Sequence, residues 1–458
     1  MPPPTPLRKF FIDLRNFVFP FSLERWIKQN SRPAIYISKS FPQPGSLSFF
    51  GGSPIAPHDF VWPVDESLGL AKPFLAQIHL ADLPKPLPVG MPRKGILYFF
   101  LDLAMLEGGE SGGNVIYKED MRELRMVQPS LPVPALGDEP TSLHGGWTFR
   151  WQSAPWQPFA MDRFPKFDLA FLPFRDIPSP EYSSRIPDGL YEKIDELIEK
   201  SIESALRACF GPEDSARRVR QDYTDYEFSV LFEAEHLMYP RAEKFGGLSP
   251  LYAQWPHAWG TVGLYLADFF RRDRYSSEPP PLPVYDKFLA ECQKWIDQAK
   301  REGFYTALTP EQRQAFRDWA REQHCQHRLA WRADMYSEEG KAHQKIYMGL
   351  ENNFHHAAQD AIAYYLASGQ RDDLLDKAAQ DDFLAQMEPS RPHQMFGYGV
   401  DYQYNAERTK GKLLLLQLNT DYPMMWMFAD CGNLQFWIDP NDLAARRFDK
   451  VTVTIAGG

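Results

Sequence analysis

The two ends of this chain carry the same three elements in the same order. Near the start, Phe50-Gly51-Gly52 is followed by the run PFLAQIHL from Pro73 to Leu80, and then by GILYFFLD from Gly95 to Asp102. Near the end, Phe396-Gly397-Tyr398 is followed by LLLLQLNTD from Leu413 to Asp421, and then by GNLQFWID from Gly432 to Asp439. In the third element Gly, Leu, Phe and Asp coincide at one spacing. A weaker echo, FGGLSP, begins at Phe245. Apolar and aromatic runs of this length, bounded by Gly and Pro, read as strands. Three of them in one order predict a duplicated half-domain. A fold that accepts this chain must therefore build a similar sheet from residues far apart in sequence.

Between the two ends the periodicity changes. Residues 1–187 are rich in Pro, Gly and aromatics, with further strand signals at Trp147 to Trp151 and Phe167 to Phe174. Residues 188–388 read as helical, and residues 389–458 return to strands. In the middle zone Asp188 is placed to cap a helix whose stripe runs from Leu190 to Cys209. Thr309-Pro310-Glu311-Gln312 is a capping box with Pro at the first helical position, opening a helix towards Met335. Ser337 opens another, with Ile346, Leu350, Phe354, Ala357, Ala361 and Tyr365 on one face and Gly369 as its stop. Pro-rich residues 276–283 read as a stiff linker. The expected fold class is α+β: a mostly antiparallel sheet core from two related half-repeats, with a large helical insertion.

Composition narrows the function. The 458 residues carry 50 basic and 60 acidic side chains, a formal charge of −10. That argues against a nucleic-acid partner, which calls for a basic face. No run reaches the roughly 18 apolar residues of a membrane span. The N-terminus breaks its apolar residues with Lys, Asp and Arg, unlike a signal peptide. Four cysteines, at 209, 292, 325 and 431, are too scattered for a disulfide framework. The expectation is a cytoplasmic protein with no membrane partner.

Several residues stand out chemically. Gln77 and Gln417 hold the same place in the two repeats, inside apolar strands, where a buried amide must find partners. Each either pins loop backbone or faces a ligand groove shared by the halves. Trp62, in the aromatic and Pro-rich loop Pro57 to Pro63, suits recognition. His393, Asp421 and Asp430 make an alternative catalytic set, since carboxylates beside a histidine serve acid–base chemistry. His324 and His327 have a spacing that can chelate zinc, and His355-His356 adds two more, but core packing is the simpler role for all four. Arg313, Arg317, Arg321, Arg328 and Arg332 lie mostly four apart and suit a solvated, salt-bridged face or an acidic partner. Cys431 has only His393 as a candidate base. No cofactor fingerprint and no metal-ligand set is present.

Together these motifs resemble the YwqG-like family, a bacterial family of unknown function. The resemblance rests on Gly51-Gly52-Ser53-Pro54, Trp62-Pro63, the strand with Gln77, and the strand opening at Gly95. It closes with His393 to Tyr398, Gln403, Leu414 to Gln417 with Asp421, and Asp430 to Ile438. It implies fold more than activity. The function expected is a binding protein that recognises a protein partner or a small ligand in a groove between the half-repeats. Trp62, Gln77, Gln403 and Gln417 would be its contact residues. An immunity-type neutraliser of a toxin is the form that suits an acidic bacterial chain. The alternative is a carboxylate- and histidine-dependent hydrolase.

Overall fold

A computed structural model describes residues 23–66, 68–101, 114–133, 163–177, 200, 250–270, 283–368, 374–386, 393–400, 409–421, 423–426, 428 and 432–456. The expected helix at 188–209 apart from residue 200, the strand at 147–151, the echo up to residue 249 and the linker at 276–282 lie outside the described residues, as do Gly369, Gln403, Asp430 and Cys431.

Ten strands form one antiparallel sheet. In chain order they are β1 (Arg32–Ser40), β2 (Phe49–Phe50), β6 (Phe74–His79), β7 (Ile96–Phe100), β8 (Val115–Lys118), β10 (Phe167–Asp176), β11 (His393–Phe396), β12 (Leu413–Asn419), β13 (Asn433–Ile438) and β14 (Thr452–Ala456). Two short ribbons complete the numbering: β3 (Ile55–Ala56) with β9 (Arg125–Met126), and β4 (Val64–Asp65) with β5 (Leu70–Ala71). Across the sheet the order is β14-β13-β12-β11-β1-β10-β2-β6-β7-β8. The arrangement is α+β, as the sequence implies.

That order reads as two five-stranded halves meeting at β1 and β10. Each meander opens on a strand out of chain order: β1, from the N-terminal end, pairs with β11 of the C-terminal half, while β10, made after β8, pairs with β2. Phe50 faces Ala76 and Phe49 faces Gln77, whereas Gln394 faces Gln417. Phe49 therefore corresponds to Gln394, and Gly51 to Phe396. This corrects the motif alignment by one residue. Both turns use left-handed backbone, at Gly51 (φ 62°) and Gly52 (64°) in one and at Phe396 (63°) and Gly397 (76°) in the other. Bulges interrupt the register at Leu75 and Leu415, two residues before each glutamine. The pair Ser38–Ala170 maps onto itself and marks the local two-fold.

Alternation along the strands builds the core. Ile35, Ile37, Phe50, Ile78, Leu97, Phe99, Met395, Leu416, Leu418, Leu434 and Phe436 belong to one buried cluster. Phe99 and Phe436 meet edge to face at 5.1 Å. Their strands are seven places apart in the sheet, which if flat would separate them by roughly 30 Å. The sheet is therefore curled, with the halves facing each other.

Helices Leu23–Asn30, Pro250–Ala253, Trp259–Ala267, Pro283–Glu302, Pro310–Ala333, Glu338–Ala367, Lys377–Gln386 and Pro440–Ala444 are α1 to α8. Thr309 and Gln312 make the expected capping box on α5, and Ser337 accepts from the Gly340 N–H on α6. Phe383 on α7 packs on Phe41 and Phe167, joining the helices to the sheet core beside β1 and β10. No helix among the described residues is long and apolar enough to cross a membrane.

Candidate functional site

The two glutamines do the same work in the two halves. Gln77 Oε1 accepts from the Ile55 N–H at 2.8 Å, and its Nε2 donates to the Leu47 carbonyl at 3.0 Å. Gln417 Oε1 accepts from the Val400 N–H at 2.7 Å. The opposite strand closes each clamp: Tyr98 Oη donates to the Ile55 carbonyl at 3.0 Å, and Gln435 Nε2 to the Val400 carbonyl at 2.6 Å. A Cβ on Gly399 would come within 3.0 Å of both amides, so the backbone approaches there because the residue is glycine. Lys72 donates to Asn114 Oδ1 and Lys412 to the Thr452 hydroxyl, at 2.9 and 2.8 Å, again at matching positions. Gln77 and Gln417 thus sit on the outer face, each engaged by its own half's loop. These bonds fit the pinning role.

The outer faces differ between the halves. In the C-terminal half the positions are polar: Gln394, Gln417 and Gln435, with Trp437 Nε1 donating to Gln435 Oε1. In the N-terminal half Gln77 matches Gln417, but Phe49 and Tyr98 replace Gln394 and Gln435, and Phe49, Phe60, Phe74, Tyr98 and Phe100 form a second small core. Burial and the nearby Asp59 charge push the Tyr98 phenol well up. The β3–β9 and β4–β5 ribbons cover this core. Trp62 fastens them, its indole N–H donating to the Lys72 carbonyl at 2.9 Å and its ring meeting Phe100 at 5.4 Å. The hollow beside Trp62, bordered by Ser53, Gln128 and Arg163, has room for about one or two water molecules.

His393 and Asp421 do come together. Asn419 N–H donates to His393 Nδ1 at 3.1 Å, so the ring carries its proton on Nε2 and donates to Asp421 Oδ2 at 2.8 Å. The same oxygen takes Lys39 Nζ, and Met424 N–H donates to Oδ1 at 3.2 Å. All three side chains are 0% exposed. Burial pushes the Asp421 carboxyl up, Lys39 and then His393 pull it down, and the net falls below the ordinary value. Phe50 and Trp426 flank the imidazole. In the other half Ser48 stands in the place of His393, bonding Asp82 at 2.6 Å and accepting from the His79 N–H at 2.9 Å. The histidine–carboxylate contact is thus the enclosed version of a strand-end fastening. Lys39 was missing from the sequence reading. Its signal is alternation, since Ile35, Ile37 and Lys39 share one face of β1.

The helical histidines are packed and bonded. His324 Nε2 lies 2.7 Å from Glu351 Oε1, and His327 Nδ1 lies 2.7 Å from His343 Nδ1. Burial, then the His343 charge, pulls His327 down to about 4. Among the described residues no group of three His, Cys, Asp or Glu is placed to hold a metal ion. The side chains of His355 and His356 lie outside the described set. Arg317 donates to the Trp255 and Ala253 carbonyls, and Arg313 to that of Pro256, so part of the arginine stripe holds the turn between α2 and α3. Arg321 pairs with Asp318 at 2.8 Å. Cys292 is buried, which pushes its thiol well up, and Cys325 is exposed.

A curled α+β sheet of two matched meanders, with fully bonded glutamine clamps and no exposed catalytic set among the described residues, defines the class. The chain belongs to the family described as a domain of unknown function, DUF1963, which matches residues 48–232 and 289–456. Those segments overlap the motifs that carry the YwqG-like resemblance. No curated protein matches the chain.

Proposed function

We propose that this is a binding protein whose ligand is another protein, docked on the ribbons over the N-terminal half. One observation carries the reading: the ribbons turn apolar side chains outwards. Val61 is 77% and Met126 64% exposed, and Leu68 and Leu131 are exposed on the same cover. Scattered exposed apolar residues are ordinary, but several on one small cover mark an interaction surface. The contrast between the halves supports it. Where the C-terminal half closes its outer face with amides, the N-terminal half keeps an aromatic core whose described cover is these ribbons. A partner protein suits this surface better than a small ligand, because the hollow beside Trp62 is only water-sized. Trp62 then acts by holding the ribbons in place.

The test is Val61→Asp combined with Met126→Asp. Both side chains lie largely in solvent, so stability should change by no more than about 0.5 kcal/mol each. Quantitative cross-linking mass spectrometry in cells should show loss of the partners that wild type contacts through residues 55–72 and 121–133. An unchanged set of partners at those residues, from a normally folded variant, would sink the reading.

A further inference from the structure

The enclosed cluster on β1 offers chemistry that recognition does not use. We propose that Lys39 and Asp421 become joined by an amide bond between Nζ and Cγ, formed by the folded chain itself. The amine and carboxyl groups come from residues 382 apart in sequence and touch in the finished fold. Fixed contact of this kind replaces a bimolecular encounter with an internal step. Both groups are 0% exposed, and the Phe167 ring lies 5.4 Å from Nζ. The contact places an Nζ proton directly on Oδ2, so a neutral amine and acid form by transfer within the pair.

The step balances without any other reactant. One Nζ proton passes to Asp421 Oδ2, and the freed lone pair attacks Cγ. A second Nζ proton then passes to Oδ2, the Cγ–Oδ2 bond breaks, and water leaves. The amide nitrogen keeps one hydrogen, and nothing is oxidised or reduced. The surrounding donors are placed for this. His393 Nε2–H points at the departing oxygen at 2.8 Å, while Met424 N–H holds Oδ1, which remains as the amide carbonyl, at 3.2 Å. The other buried lysine pin does not share the arrangement. Lys72 meets the Asn114 amide, and its counterpart Lys412 meets a threonine hydroxyl that cannot form an amide.

Intact mass of the purified, denatured wild-type chain decides the matter. It should fall about 18 Da below the sequence mass, the loss of one water. Protease digestion should also release one branched peptide containing residues 39 and 421. A full sequence mass overturns the proposal, and so does a deficit without that branched peptide, as an aspartyl succinimide would give. Lys39→Arg keeps the cation and should abolish both signatures. His393 is assigned as a positioning residue. After refolding, His393→Leu should slow the appearance of the branched peptide at least tenfold while His393→Gln, which keeps an N–H donor, links faster than Leu. Equal rates in all three chains would remove His393 from the reaction.

Discussion

Replacing Gln77 with Leu preserves volume and deletes one clamp. The side chain is fully buried, and its loss frees the Ile55 N–H and the Leu47 carbonyl, bonded at 2.8 and 3.0 Å. An orphaned buried polar group costs roughly 1–3 kcal/mol, but Tyr98 still holds the Ile55 carbonyl and the loop is half exposed. The expected loss is therefore about 2 kcal/mol. Gln417→Leu orphans the Val400 N–H and removes an acceptor 2.8 Å from Gln435, whose amide still holds the Val400 carbonyl. Its cost should be similar, about 2 kcal/mol. The two clamps use different loops, so the double variant should lose the sum to within about 0.5 kcal/mol. Urea unfolding followed by circular dichroism, with a shared slope, measures all three. Wild-type stability in either single variant would refute the pinning role. A double variant no worse than one single variant would refute the independence of the halves.

Three other outcomes are expected. A fragment ending at residue 389 should fail to give a soluble, cooperatively melting protein, because β1 loses β11 and Lys39 loses Asp421; sedimentation and thermal melting check this. Purified protein should hold no stoichiometric zinc, and a chelator should leave its melting temperature unchanged, since His324 and His327 already bond Glu351 and His343. Burial pulls His257 from 6.5 down to about 4, with Nε2 donating to the Leu251 carbonyl at 2.8 Å. The folded state thus resists its protonation. Its contribution is complete above about pH 6.5 and is lost as pH falls towards 4, on the order of 3 kcal/mol. His257→Gln should flatten that part of the stability–pH curve.

Much of the sheet was legible because its strands are apolar runs with Gly and Pro at their ends. Gln77 and Gln417 were legible as polar residues where the pattern demands apolar ones. What stayed hidden was hidden for physical reasons. Matching glycine to glycine set Gly51 against Gly397, whereas the backbone sets it against Phe396, a non-glycine held at φ 63°. Tyr98 and Gln435 do one job with different chemistry, so comparing identities cannot pair them. The groove between halves assumed that equivalent residues converge on the two-fold. They lie on the outer face instead, where alternation places every residue between two core positions. Lys39 was overlooked because a lone cation in a strand usually reaches solvent, and only pairing with distant segments encloses it.

The placement of β1 in the C-terminal half has a consequence for how the protein comes into being. Synthesis delivers β1 early, yet its β11 edge finds a partner only when residues 393–396 are made, after every helix from α2 to α7. Until then the nascent chain carries a hydrophobic strand with one open edge, a hazard for mispairing with another copy. A second copy's β11 could fill that edge as well as its own chain's can. Slow translation of the final segment, or a crowd of neighbouring ribosomes on one message, should therefore favour swapped dimers, and holdase chaperones should act mainly before the last strands emerge.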